Sequence, residues 1–150
     1  MVDGPGLRTS IYFAGCRHAC PGCHNPSSWS FYGGEEMSIE EIIDVISEAD
    51  LPVTLSGGDP LYQAPELTQL CIELKKREYN VWCYTGFKYE EIAGIHIYSE
   101  LLQNIDVLVD GPFIESLRDI SLLFRGSSNQ RLIDVAHSTA DSITLWQPDW

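Results

Sequence analysis

Four short runs of β-branched and aromatic residues in this chain each stop at a polar or glycine-bearing turn, and apolar residues at helical spacing separate them. Thr9-Ser10-Ile11-Tyr12-Phe13 ends at Ala14-Gly15, and Pro52-Val53-Thr54-Leu55 ends at Ser56-Gly57-Gly58-Asp59-Pro60. Val81-Trp82-Cys83-Tyr84 stops at Thr85-Gly86, and Asp106-Val107-Leu108-Val109 at Asp110-Gly111-Pro112. Between the first two runs, Ser38-Ile39-Glu40-Glu41 forms a capping box, and Ile39, Ile42, Ile43, Ile46 and Ala49 keep helical spacing. A second helix is predicted from near Pro65, with Leu67, Leu70, Cys71 and Leu74 as its stripe. One or two helical pieces are predicted over 88–104, broken at Gly94, and a loop-rich stretch precedes strands at 132–135 and 143–146. Strand, helix, strand, helix implies a parallel sheet with right-handed crossovers. A closed eight-unit barrel needs roughly 200 residues or more. The 150 residues here therefore predict a single α/β domain, residues 1–150, built as an open partial (β/α) barrel with parallel strands or a short doubly wound sheet.

Ligands of such sheets gather outside the carboxyl ends of the strands. All four runs end in residues suited to a site, so four strand ends are expected to converge on one rim. The first end leads into the sequence AGCRHACPGCHN, with Cys16, Cys20 and Cys23 within eight residues. Their spacing, with Pro21 and Gly22 to curl the chain, brings three sulfurs to one metal centre. Soft thiolates select zinc or iron–sulfur clusters. Zinc would need a fourth ligand, such as His18 or His24. A [4Fe-4S] cluster on three cysteines would leave one iron open for another ligand, as catalytic metal sites do. Spacing alone leaves both readings open. The position of the loop, facing the glycines of a neighbouring strand end, favours the cluster. Gly57 and Gly58 permit close approach of a ligand to the backbone, and Asp59 suits an ammonium group. A plain tight turn would explain the same residues.

Composition narrows the partners. Nine Lys and Arg against 22 Asp and Glu give a net charge of −13. Nucleic acid and anionic membrane both require a basic footprint, so neither is expected. No apolar run approaches the roughly 20 residues of a membrane span, and the first residues lack the pattern of a signal peptide. Five cysteines, three of them clustered, do not look like a secreted disulfide framework, so a reducing cytoplasm is expected. No HExxH, GxSxG or P-loop is present.

The cysteine motif resembles that of the radical S-adenosylmethionine enzymes, and Ser56-Gly57-Gly58-Asp59-Pro60 is similar to their Gly-Gly-Glu segment, with Asp in place of Glu. The nearer resemblance is to the activating proteins of anaerobic ribonucleoside-triphosphate reductase. It rests on Val2-Asp3-Gly4-Pro5-Gly6-Leu7-Arg8, the cysteine loop through Asn25, residues 55–61, Tyr84-Thr85-Gly86, residues 107–113 and Arg125-Gly126-Ser127-Ser128-Asn129-Gln130-Arg131. Residues 125–131 discriminate best, because the sister activases of pyruvate formate-lyase lack them. Members carry a short segment before Val2, so such a segment is expected to be missing here.

The resemblance implies a [4Fe-4S] cluster on Cys16, Cys20 and Cys23, with S-adenosyl-L-methionine on the fourth iron. Gly22, Cys23, His24, Ser56, Gly57, Gly58, Asp59, Tyr84 and Asp110 would line the cosubstrate. No catalytic residue is expected beyond the cluster ligands. The implied activity is reductive cleavage of S-adenosylmethionine and formation of a glycyl radical on the large subunit of the reductase. A low-potential electron donor such as flavodoxin is implied too. A short, open barrel would admit a glycine-bearing loop of another protein. Two rival readings stand beside this one: a radical enzyme acting on a small molecule, and a non-enzymatic metal or cluster module. Ordinary structural roles are expected for Cys71 and Cys83 as core residues. For Tyr84, core packing competes with adenine stacking. For Asp110, turn capping competes with ribose binding, and for residues 125–131 a solvated loop competes with a contact to the partner or the cosubstrate.

Overall fold

The computed structural model describes residues 4–13 and 37–148. Strand β1 spans Thr9–Phe13, helix α1 Ile39–Ala49, β2 Val53–Gly57, α2 Ala64–Lys76, β3 Val81–Tyr84, α3 Tyr89–Ile92, α4 His96–Gln103, β4 Val107–Asp110 and β5 Arg131–Asp134. They form one five-stranded sheet in the order β1-β2-β3-β4-β5. Strands β1 to β4 are parallel, whereas β5 runs antiparallel to β4. The all-parallel expectation is corrected here. A parallel return needs a long crossover, usually a helix. Between β4 and β5 the chain carries a 3₁₀ turn at Glu115–Leu117 and no α-helix, so it comes back beside β4 in the opposite direction.

The capping box forms as the sequence predicts. Ser38 Oγ accepts from Glu41 N at 3.1 Å, and Glu41 Oε1 accepts from Ser38 N at 3.3 Å. Leu67, Leu70, Cys71 and Leu74 of α2 are all buried against the sheet. Gly94 lies in the break between α3 and α4. Strand β2 extends to Gly57, beyond the apolar run, because Ser56 and Gly57 pair with Tyr12 and Phe13. The strand expected at 143–146 is corrected to an isolated bridge, Leu145 opposite Ile133. Two hydrogen bonds flank it, Asp134 N to Thr144 O at 2.9 Å and Trp146 N to Leu132 O at 2.7 Å.

Alternation along the strands gives the sheet two unlike faces. Ile11, Phe13, Val53, Leu55, Val81, Cys83, Leu108 and Ile133 join the core shared with α1, α2 and α4. On the other face, Trp82, Val107, Val109 and Leu132 gather with Phe124, Tyr84 and Trp146. Trp82 meets Phe124 and Trp146 edge-on, with centroids 5.4 and 5.0 Å apart. Toward β1 the same face turns polar, with Ser10 and Tyr12 beside Thr54 and Ser56. Arg8 pins the start of β1: its guanidinium donates to Thr54 Oγ1 at 2.9 Å, Val53 O at 2.8 Å and Asn80 Oδ1 at 2.8 Å.

Gly57 has φ +105°, and a Cβ there would fall 2.4 Å from Phe13 N and 2.6 Å from Phe13 O. Both the conformation and the approach of β1 require glycine. Gly57→Ala is therefore expected to cost about 2–4 kcal/mol of stability, measured by urea unfolding. A loss below about 0.5 kcal/mol would contradict this close approach.

Candidate functional site at the carboxyl ends of the strands

The parallel arrangement of β1 to β4 brings Phe13, Gly57, Tyr84 and Asp110 to one edge of the sheet. Beyond Phe13 the sequence runs into the cysteine motif. Cys16, Cys20, Gly22, Cys23 and His24 lie outside the described residues.

Hydrogen bonds tie these strand ends into an arc. Gly58 N donates to Phe13 O at 2.6 Å, joining β2 to β1. Asp59, 1% exposed, joins β2 to β3: its carboxylate accepts from Thr85 Oγ1 at 2.9 Å and from Gly86 N at 2.9 Å. The same side chain accepts from Leu61 N at 3.0 Å and caps the 3₁₀ turn Pro60–Gln63. Thr85 Oγ1 in turn accepts from Phe87 N at 3.1 Å. Thr85 N donates to Val109 O and Gly111 N to Phe87 O, both at 2.9 Å, which carries the arc to β4. A buried carboxylate needs such donors, because leaving it unpaired costs several kcal/mol.

Asp110 is equally buried, at 1% exposed. Its Oδ2 accepts from Tyr89 N at 2.8 Å, at the start of α3, and its Oδ1 accepts from Arg131 Nε at 3.0 Å. Arg131 also pairs with Glu90. Hydrogen bonds to Asp110 first, and to Glu90 second, raise the Arg131 guanidinium pKa above its ordinary value. The Arg131 contact holds Glu90 below the usual carboxylate range. Tyr84 is half-buried, and its hydroxyl donates to Phe124 O at 2.7 Å.

Residues 125–131 turn out to brace the chain leaving β4. Gln130 Nε2 donates to Gly111 O at 3.0 Å, and its Oε1 accepts from Gly126 N at 2.9 Å. Asn129 Nδ2 donates to Pro112 O at 2.7 Å, and Ile114 N donates to the buried Ser127 Oγ at 3.2 Å. Sequence reasoning missed Thr85, Gln130 and Arg131 as the partners of the rim. The available signal was positional: a hydroxyl directly follows β3, and a carboxylate stands two residues after the end of the neighbouring β2. A cleft of about 400 Å³ beside β5 is bounded in part by Arg125, Gln130 and Arg131 of the 125–131 stretch, with Leu145 and Trp146, and includes none of Ser56, Gly57, Gly58, Asp59, Tyr84 or Asp110.

Three cysteines within eight residues are a donor set that suits a soft metal or an iron–sulfur cluster. Among the described residues no group of three or more His, Cys, Asp or Glu could hold a metal ion. Cys71 and Cys83 are fully buried free thiols. Burial pushes Cys71 up to about 12. Burial, followed by the neighbouring Cys71 and Asp59, pushes Cys83 well above the ordinary thiol value. Thiolates bind metal and thiols do not, so neither Cys71 nor Cys83 suits a metal-ligand role in this fold.

Two outcomes follow for this frame. In the folded protein, iodoacetamide at about pH 8, near the ordinary thiol pKa, is expected to leave Cys71 and Cys83 unmodified, with labelling only in denaturant. Rapid labelling of either in folded protein, read by peptide mass, would contradict their assignment to the core. Arg131→Met leaves Asp110 and Glu90 without their cation and is expected to cost roughly 3–5 kcal/mol, read from chemical unfolding. A neutral effect would show that Asp110 is satisfied without it.

A family model described as a 4Fe-4S single cluster domain matches residues 2–133. The chain is 35% identical over 140 residues to the anaerobic ribonucleoside-triphosphate reductase-activating protein of Escherichia coli (strain K12), covering 87% of this chain and 90% of that protein. To the protein of the same name from Haemophilus influenzae it is 38% identical, covering 87% and 89%. To that of Enterobacteria phage T4 it is 37% identical, covering 88% and 86%. With this cover, and with the strand ends arranged as described, the chain belongs to the family of anaerobic ribonucleoside-triphosphate reductase-activating proteins.

Proposed function

We propose that this chain is a glycyl-radical activase of the radical S-adenosylmethionine type, folded as one domain with an open partial barrel. In this reading Cys16, Cys20 and Cys23 hold a [4Fe-4S] cluster, and S-adenosylmethionine lies between that loop and the rim. When bound, the reduced cluster supplies the electron that splits S-adenosylmethionine into methionine and a 5′-deoxyadenosyl radical, which takes a hydrogen atom from a glycine of the anaerobic reductase. The protein contributes position. Gly22, Cys23 and His24 would flank the cosubstrate from the loop side, and Ser56, Gly57, Gly58 and Asp59 from β2. Tyr84 and Asp110 would bound it at the ends of β3 and β4.

One observation carries this reading. The strand that continues into the cysteine loop is bonded directly, through Gly58 N and Phe13 O, to the strand end carrying Gly57 and Gly58. Gly57 and Gly58 thus lie across one strand pair from Phe13, three residues before the first cysteine in the sequence. A low-potential donor such as flavodoxin would supply the electron, and a cytoplasmic setting suits thiolate ligands. None of the described helices is long and apolar enough to cross a membrane, and a net charge of −13 does not favour nucleic acid.

Anaerobic reconstitution with iron and sulfide is expected to give a brown protein. With reductant and S-adenosylmethionine it should release 5′-deoxyadenosine and raise a glycyl-radical signal on the reductase. Zinc without a chromophore would overturn the reading, and so would cosubstrate cleavage with no radical on the reductase. Cys20→Ala is expected to abolish cluster binding; a variant retaining a full cluster would exclude Cys20 as a ligand.

A further inference from the structure

We infer that Thr85 and Asp59 form a positioning clasp for the cosubstrate site, and that Asp59 acts on S-adenosylmethionine through the backbone it fixes rather than by an ion pair of its own. The inference rests on the function proposed above and names residues that set that site's shape.

Asp59 is 1% exposed, and its carboxylate points at the neighbouring strand end. Among the described residues, Leu61 N, Thr85 Oγ1 and Gly86 N donate to it. A carboxylate offers about four acceptor positions, so the group is largely committed to protein donors. Thr85 is buried as well, at 6% exposed, and its hydroxyl lies between the Asp59 oxygens and Phe87 N. A hydroxyl both donates and accepts, which suits this middle position.

The clasp holds the segment that would receive the cosubstrate. Asp59 follows Gly57 and Gly58 directly, Gly57 sits at φ +105°, and Gly58 N is bonded to Phe13 O at 2.6 Å. With Asp59 anchored to β3 and Gly58 to β1, the two glycines are fixed from both sides. Hydrogen bonds to a charged group are among the stronger ones in a protein, and a site held this way loses little order when a ligand binds. Loosening the clasp would therefore weaken cosubstrate binding without removing any group that touches it.

Equilibrium dialysis of S-adenosylmethionine with reconstituted protein tests this, alongside amide hydrogen exchange at Gly58. Thr85→Val is expected to raise the dissociation constant about tenfold, to speed Gly58 exchange, and to leave the cleavage rate at saturating cosubstrate unchanged. Thr85→Ser, which restores the hydroxyl, is expected to return both readouts to near wild type. Asp59→Asn should also weaken binding, and the double variant should be no worse than the poorer single one, because one unit is broken once. If Asp59 met the ammonium directly, Thr85→Val would bind normally, or the two losses would add in full; either result overturns the inference. Should Thr85→Val fail to fold, Asp59→Asn carries the test, since lost affinity with Gly58 protection intact has the same meaning. Wild-type protein that binds no S-adenosylmethionine would defeat the proposed function instead, so the two failures are distinguishable.

Discussion

The buried carboxylate of Asp59 is the constraint on which the rim depends. A charged group that has left water must find donors at hydrogen-bonding distance, or the fold loses several kcal/mol. Here the donors come from the next strand's exit, Thr85 and Gly86, so satisfying one side chain fixes the spacing of two strand ends. Asp110 repeats the arrangement two strands further on, taking Tyr89 N and the Arg131 guanidinium. Each carboxylate ties its own strand to the chain that leaves or enters beside it. Loops usually carry the mobility of a protein surface, but these turns are cross-linked by charge-assisted bonds. That stiffness suits an edge on which a reactive cosubstrate would have to be held still.

The two faces of the sheet divide the remaining work. The helix face is apolar from β1 to β5 and supplies the core. The opposite face is aromatic over β3 to β5, where Trp82, Phe124 and Trp146 pack edge-on, and polar over β1 and β2. The polar half adjoins the strand that continues into the cysteine loop. Residues 125–131 brace the chain leaving β4 by bonding to Gly111 and Pro112. The stretch that most resembled a family signature in the sequence therefore contributes structure at the rim before any contact it makes to a partner.

Local elements were legible in the sequence because their causes are local. The capping box of α1, the buried stripe of α2 and the break at Gly94 each follow from neighbours within a few residues. Cys71 and Cys83 were readable as core for the same reason. The direction of β5 was not, because it depends on whether residues 111–130 fold into a crossover helix, and side-chain bonds to backbone decide that. Nor were the pairings Asp59–Thr85 and Asp110–Arg131, which span 26 and 21 residues. Such pairs are set by strand order and register, and periodicity carries no information about either.

The shorter acid at position 59 fits this geometry. Its Oδ1 caps Leu61 N, two residues on, which is the reach of an Asp side chain folding back on its own turn. From the same rotamer the other oxygen meets Gly86 N, while Thr85 Oγ1 bridges toward both. A glutamate would carry its carboxylate one methylene further from the backbone. It could not close the two-residue turn and meet β3 with the backbone unmoved, and would be better placed to reach beyond the rim. Asp59 is thus coupled to the threonine facing it across the strand gap. With aspartate, the carboxylate's strongest role is holding Gly57 and Gly58 where the backbone of β1 already presses against them.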